Sequence, residues 1–159
     1  MPNGDTEAAV VVVEDEHLVR WVMVESLTDA GLRVLEAKDA DEALTLLSGR
    51  CDVRVLITDV NMPGQMDGVR LAQFAHRHWP KLGIIVLSGK EQPRPSELPP
   101  NARFFPKPVS MAALESAARA LLDRARSGGT ASKPVMPRTT VLPNEEDSRG
   151  RQLPNEPED

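Results

Sequence analysis

Two hydrophobic periods alternate along this chain. Residues 9–14, AVVVVE, are five apolar residues closed by an acid, the pattern of a short strand buried on both faces. Residues 16–31, EHLVRWVMVESLTDAG, carry apolar side chains at helical spacing and end on Gly31, which suits a helix C-cap. The alternation continues. RVLEA (33–37) reads as a strand, and DADEALTLLSG (39–49) as a helix with an acidic first turn and a closing glycine. VRVLIT (53–58) is a third strand, and DGVRLAQFAHRHW (67–79) is a helix stopped by Pro80. GIIVLS (83–88) and ARFFP (102–106) are the fourth and fifth strands, and 110–126 is a last helix capped by Ser110. Strands that alternate with helices predict a parallel sheet covered on both faces, an α/β fold.

Composition changes the picture at the two ends. The domain is expected to span 8–126. From residue 127 to 159 the chain is rich in Pro, Ser, Thr, Gly, Asn and acids and poor in apolar residues, so a disordered tail is expected there, with a loose lead-in over 1–7. Hydrophobic content is 40% but aromatics are 3% and Tyr is absent, so the core must come from Val, Leu, Ala and Ile. A formal charge of -5 gives no general attraction to nucleic acid. A lone Cys51 excludes an intramolecular disulfide and fits a reducing compartment. With no signal-like start and no run of membrane-spanning length, the expectation is a soluble cytoplasmic protein without membrane insertion.

Ligands of such sheets bind outside the carboxyl ends of the strands. That edge receives Glu14 and Asp15 after the first strand, Asp59 after the third, Ser88 after the fourth and Lys107 after the fifth. Three carboxylates in one pocket repel one another unless compensated. A hard, oxygen-seeking dication such as Mg²⁺ resolves the repulsion. A carboxylate nucleophile, Mg²⁺, a lysine and a hydroxyl together suit phosphoryl transfer, where catalysis is mainly positioning and charge neutralisation.

These residues stand in VVEDE (12–16), LITDVNMPG (56–64) with MDG (66–68), VLSG (86–89) and FFPKP (104–108). In that order, each after its own strand, they resemble the receiver (CheY-like) domain of two-component response regulators. The resemblance covers residues 8 to 126. It implies a flavodoxin-like, doubly wound, five-stranded sheet. It further implies that Asp59 accepts a phosphoryl group from a histidine kinase, hybrid kinases included. Asp15, Asp59 and the backbone carbonyl of Asn61 would bind Mg²⁺, with Glu14 holding it mostly through water. Lys107 would contact the phosphoryl oxygens, Ser88 would move to hydrogen-bond them, and Phe104 would be the aromatic switch residue. A cis Lys107–Pro108 peptide is also implied.

The chain departs from the family pattern in three places. Glu14 stands where Asp is commoner, and MPGQMDG is one residue longer than the usual loop. Pro93, Pro95, Pro99 and Pro100 make a long fourth helix between Ser88 and Phe104 improbable, so a short or irregular segment is expected. His17, His76 and His78 lack a partner cluster and read as surface or structural residues. Trp21 and Trp79 read as packing residues, and Cys51 as the start of the third strand.

A signalling module competes with an aspartyl-phosphate phosphatase. The latter commonly needs a second acid two residues after its nucleophile, where this chain has Asn61, and a substrate-binding cap that the pattern does not supply. The expectation is therefore a single-domain response regulator that acts on an unknown downstream protein, or as a phosphate sink, without binding nucleic acid. Its only chemistry would be self-directed phosphoryl transfer and autodephosphorylation. LPNEED (142–147) and LPNEPED (153–159) repeat a Leu-Pro-Asn-Glu core, as chance within a biased segment or as a pair of short binding motifs.

Overall fold

The computed structural model describes residues 8–62, 64, 66–89 and 92–127. The expectations for 1–7 and for the tail, including both Leu-Pro-Asn-Glu copies, lie outside the described residues. Five strands, β1 (Ala9–Val13), β2 (Arg33–Ala37), β3 (Val53–Asp59), β4 (Gly83–Ser88) and β5 (Arg103–Pro106), form one parallel sheet in the order β2-β1-β3-β4-β5. Among the described residues three α-helices connect strands, α1 (His17–Asp29), α2 (Ala40–Gly49) and α3 (Gly68–His78), and a fourth, α4 (Met111–Ser127), follows β5. This is the five-stranded, flavodoxin-like arrangement expected.

Strand side chains alternate between two cores, because successive residues of a strand point to opposite faces. Val11, Val13, Leu56, Ile84 and Val86 pack with α2 and α3. Val10, Val12, Val55, Ile57, Ile85 and Leu87 pack with α1 and α4. The central strands are buried on both faces, which is why their sequence is a continuous apolar run rather than an alternating one.

Local signals end the helices as their chemistry requires. Asp39 and Asp67 accept from the N–H groups of Glu42 and Arg70 at 2.9 Å, and Ser110 Oγ accepts from Ala113 at 3.2 Å. Gly31 adopts φ +94 just past α1, a region that L side chains rarely enter. Among the described residues between Gln92 and Pro100 there is no α-helix, only a 3-10 turn at Pro95–Glu97. That turn is tied to α3 by the Gln73 side chain, which donates to the Glu97 carbonyl at 2.6 Å.

Two sequence expectations need correction. Trp21 does not pack: it is 55% exposed, beside exposed Leu18 and Val22. Helix α1 is apolar on more than one side, so spacing alone did not single out its inward face. Met23 and Leu27 face the core, and Trp21 lies on the side turned away. Cys51 is exposed and precedes β3, which begins at Val53. Trp79, by contrast, is buried, and His78 stacks on Phe74 with ring centroids 4.0 Å apart. No helix among the described residues is long and apolar enough to cross a membrane.

Candidate functional site

The carboxyl edge of the sheet gathers most of the polar groups that the fold buries. Glu14, Asp59, Thr58 and Ser88 are buried, while Asp15 is exposed at the mouth. Strand β1 delivers Glu14 one residue beyond its last paired position, with the Glu14 N–H donating to the Ala37 carbonyl at 3.1 Å. Strand β3 delivers Asp59 as its last residue, and the next residue, Val60, donates its N–H to the Leu87 carbonyl of β4 at 2.9 Å.

Lys107 closes the group from β5. Its N–H donates to the Ser88 carbonyl at 2.8 Å, and the Lys107–Pro108 peptide is cis. Its ammonium lies 3.3 Å from Glu14 Oε1 and 3.3 Å from Asp59 Oδ2, so one cation bridges two buried carboxylates. The other Glu14 oxygen accepts from the Glu16 N–H at 3.0 Å. Carboxylate oxygens of Glu14, Asp15 and Asp59 all lie within 4.8 Å of one another.

Burial pushes the Glu14 carboxyl up from its ordinary value, and the neighbouring Asp59 charge adds to the push against its hydrogen bonds and Lys107. Burial likewise raises Asp59, with Lys107 opposing. For Lys107, burial favours the neutral amine, but Asp59 and Glu14 outweigh it and the net shift is upward. The ammonium is therefore fixed, and the carboxylates remain short of positive charge. Three hard oxygen donors around such a deficit fit a hard dication by the chemistry of the donor set.

Some residues that shape this pocket were not singled out by type or spacing. A Cβ on Gly68 would lie 1.8 Å from the Asp59 carbonyl oxygen, so only glycine lets the first turn of α3 sit against the strand end. The Gly68 N–H donates to the Val60 carbonyl at 2.8 Å. The Thr58 hydroxyl donates to the Asp59 carbonyl at 3.0 Å. The MDG triplet was the available signal for Gly68. Arg20, on α1, donates to the Glu14 carbonyl at 2.8 Å, and nothing in its spacing announced this. Of the remaining expected residues, Asn61 is exposed two positions beyond Asp59, and Phe104 is half-buried beside Val86 against the α2–α3 core.

The family model described as response regulator receiver domain matches residues 10–119. The chain belongs to the receiver domain family of response regulators. This receiver domain is 35% identical over 123 residues to the sensor kinase CckA of Brucella abortus, covering 74% of this chain and 13% of that protein. It is 34% identical over 79 residues to the DNA-binding transcriptional regulator NtrC of Salmonella typhimurium, covering 50% of this chain and 16% of the regulator. The chain thus spans a small part of the curated relatives it matches. Among solved structures it resembles a response regulator receiver domain protein from Clostridium thermocellum, with a TM-score of 0.68 at 24% identity, covering 76% of this chain and 98% of that one. A CheY-like receiver domain protein from Methanospirillum hungatei gives 0.69 at 22% identity, covering 78% and 100%. At these identities the structural likeness speaks for the fold.

Receiver domains are signalling modules of two-component systems that take phosphoryl groups from histidine kinases, and they generally bind Mg²⁺ at an acidic pocket.

Proposed function

We propose that this receiver domain accepts a phosphoryl group on Asp59 from a histidine kinase and, once phosphorylated, regulates a protein partner. The observation that carries this reading is the single Lys107 ammonium set 3.3 Å from both the Asp59 and the Glu14 carboxylates at the strand ends. An Asp59 oxygen attacks the phosphorus of a phosphohistidine. The P–O bond forms as the P–N bond breaks, and the electron pair leaves with the imidazole. Charge builds on the phosphoryl oxygens in this step, and catalysis rests on neutralising and positioning them. Lys107 supplies one fixed positive charge, and the Ser88 hydroxyl supplies a hydrogen bond to a phosphoryl oxygen. Glu14, Asp15, Asp59 and the Asn61 carbonyl would hold Mg²⁺, which when bound supplies the remaining charge neutralisation.

Occupation of the site draws Ser88 toward the phosphoryl group. Phe104, half-buried next to β4, then changes its packing and transmits the state to the surface. The same pocket returns the domain to rest by self-directed hydrolysis of the aspartyl phosphate. Intact mass spectrometry after incubation with Mg²⁺ and a small phosphodonor tests the reading. One labile phosphoryl group is expected on the wild type and none on Asp59→Asn. Equal labelling of both proteins overturns it.

A further inference from the structure

We infer that Arg20 is a positioning residue for the cation site, acting through the main chain of Glu14; the inference rests on the metal-dependent reading of the pocket above. Glu14 lies at the end of β1, where its carbonyl has passed the last residue of the β1–β2 register. There the Arg20 guanidinium takes it: Nη1 donates to Glu14 O at 2.8 Å, while Nε donates to Glu36 Oε1 on β2 at 2.9 Å. One planar side chain thus ties the β1–α1 turn to the neighbouring strand. The Arg20 side chain is only 15% exposed and its charge-assisted bond to the Glu14 carbonyl is shielded, whereas Glu36 is 55% exposed and its pair with Arg20 lies at the surface.

The consequence is that Glu14 is held at every polar group. Its N–H goes to Ala37, its carbonyl to Arg20, one carboxylate oxygen to the Glu16 N–H and the other to Lys107. Helix α1 has no side-chain cap from Glu16, so Arg20, reaching back across the first turn, and the Glu14 carboxylate, accepting from the Glu16 N–H, together fasten the helix start to the acid turn. Asp15, the exposed member of the carboxylate group, sits inside that fastened turn. Arg20 also brings a guanidinium beside the acidic turn, with its charge partly balanced by Glu36. Groups that orient ligands in this way typically change metal affinity ~10–100-fold when removed.

Calorimetric Mg²⁺ titration of the full chain tests this, alongside the melting temperature of the metal-free protein. Arg20→Met is expected to raise the Mg²⁺ Kd about tenfold. Labelling of Asp59 should recover at saturating Mg²⁺. Arg20→Lys is expected not to restore affinity, because a single ammonium cannot span Glu14 and Glu36 as the fork does. Glu36→Gln, which leaves Arg20 in place but releases its orienting carboxylate, is expected to raise Kd about threefold, a fraction of the same effect. It also decides the matter if Arg20→Met fails to fold. A lower metal-free melting temperature with unchanged Kd in these variants marks a purely structural role and overturns the inference. A wild type that binds no Mg²⁺ overturns the metal reading itself, and this inference with it.

Discussion

At the amino edge of the sheet, Asp52 lies between Arg33 and Arg50; at the carboxyl edge, Glu14, Asp15 and Asp59 share Lys107. Both clusters tie together strand ends that are not adjacent in the sheet, β2 with the start of β3 in the first and β5 with β1 and β3 in the second, yet their electrostatics run in opposite directions. Arg50 first, and then Arg33, hold the Asp52 carboxyl down at about 2 against the opposing effect of burial. At the other edge, burial dominates and the carboxyls of Glu14 and Asp59 are pushed up. Two cations serve one partly exposed acid in the first case. One cation serves a group of three acids, two of them buried, in the second. The amino edge is arranged to be satisfied as folded, whereas the carboxyl edge keeps a deficit of positive charge that a dication and a phosphoryl-binding site can use.

The largest effect should come from damaging the carboxyl edge without touching a charge. Gly68→Ala forces a methyl group into the Asp59 carbonyl, and backbone has to move. A loss of about 3 kcal/mol in urea unfolding is expected, together with poor Asp59 labelling. An alanine variant of wild-type stability would show that α3 is not pinned to the Asp59 strand end.

Removing charge from the same edge should have the opposite sign in metal-free protein. Asp59→Asn relieves a buried, under-compensated carboxylate, so its melting temperature should rise by roughly 3–6 °C, about 1 kcal/mol of relief. Scanning calorimetry in a chelator checks this, and a fall would place Asp59 among the satisfied acids. With Mg²⁺ present, wild type should gain stability by mass action on the native state, and Asp15→Asn should lose most of that gain. A full gain in Asp15→Asn would remove Asp15 from the ligand set.

The smallest effect belongs to the amino edge. Asp52 has a folded pKa below its unfolded one, so the stability it contributes is complete above the unfolded value of ~4 and is lost as pH falls through about 2. Both arginine partners are about one-third exposed, and solvent screening limits the gain, so Asp52→Asn should cost about 0.5–1 kcal/mol at neutral pH. Its acid limb should be shallower than that of the wild type between ~pH 4 and 2, and its phosphorylation unchanged. An acid limb that superimposes on the wild-type curve would mean that the Asp52 pairs contribute nothing to the fold.

Much of this molecule was legible before folding because the signals are local. Short apolar runs bounded by turn residues fit strands buried on both faces, and Asp39, Asp67 and Ser110 cap helices through N–H groups three residues away. Proline spacing was enough to replace a helix by the 3-10 turn at Pro95–Glu97. The acidic edge was legible for a topological reason: parallel strands all end on the same side, so Glu14, Asp59, Ser88 and Lys107 had to meet. What only the tertiary structure decided are relations between residues far apart in the chain or ambiguous on one element. Lys107 could have met either carboxylate and meets both. Trp21 sits on a helix with more apolar sides than the sheet can cover, and packing left it outside. Arg20 reaches Glu14 and Glu36 together because α1 packs against both β1 and β2. Gly68 must be glycine because the first turn of α3 rests on the Asp59 carbonyl. Periodicity specifies what an element is and which face can be buried; distances between elements are fixed only by the packing of the whole core.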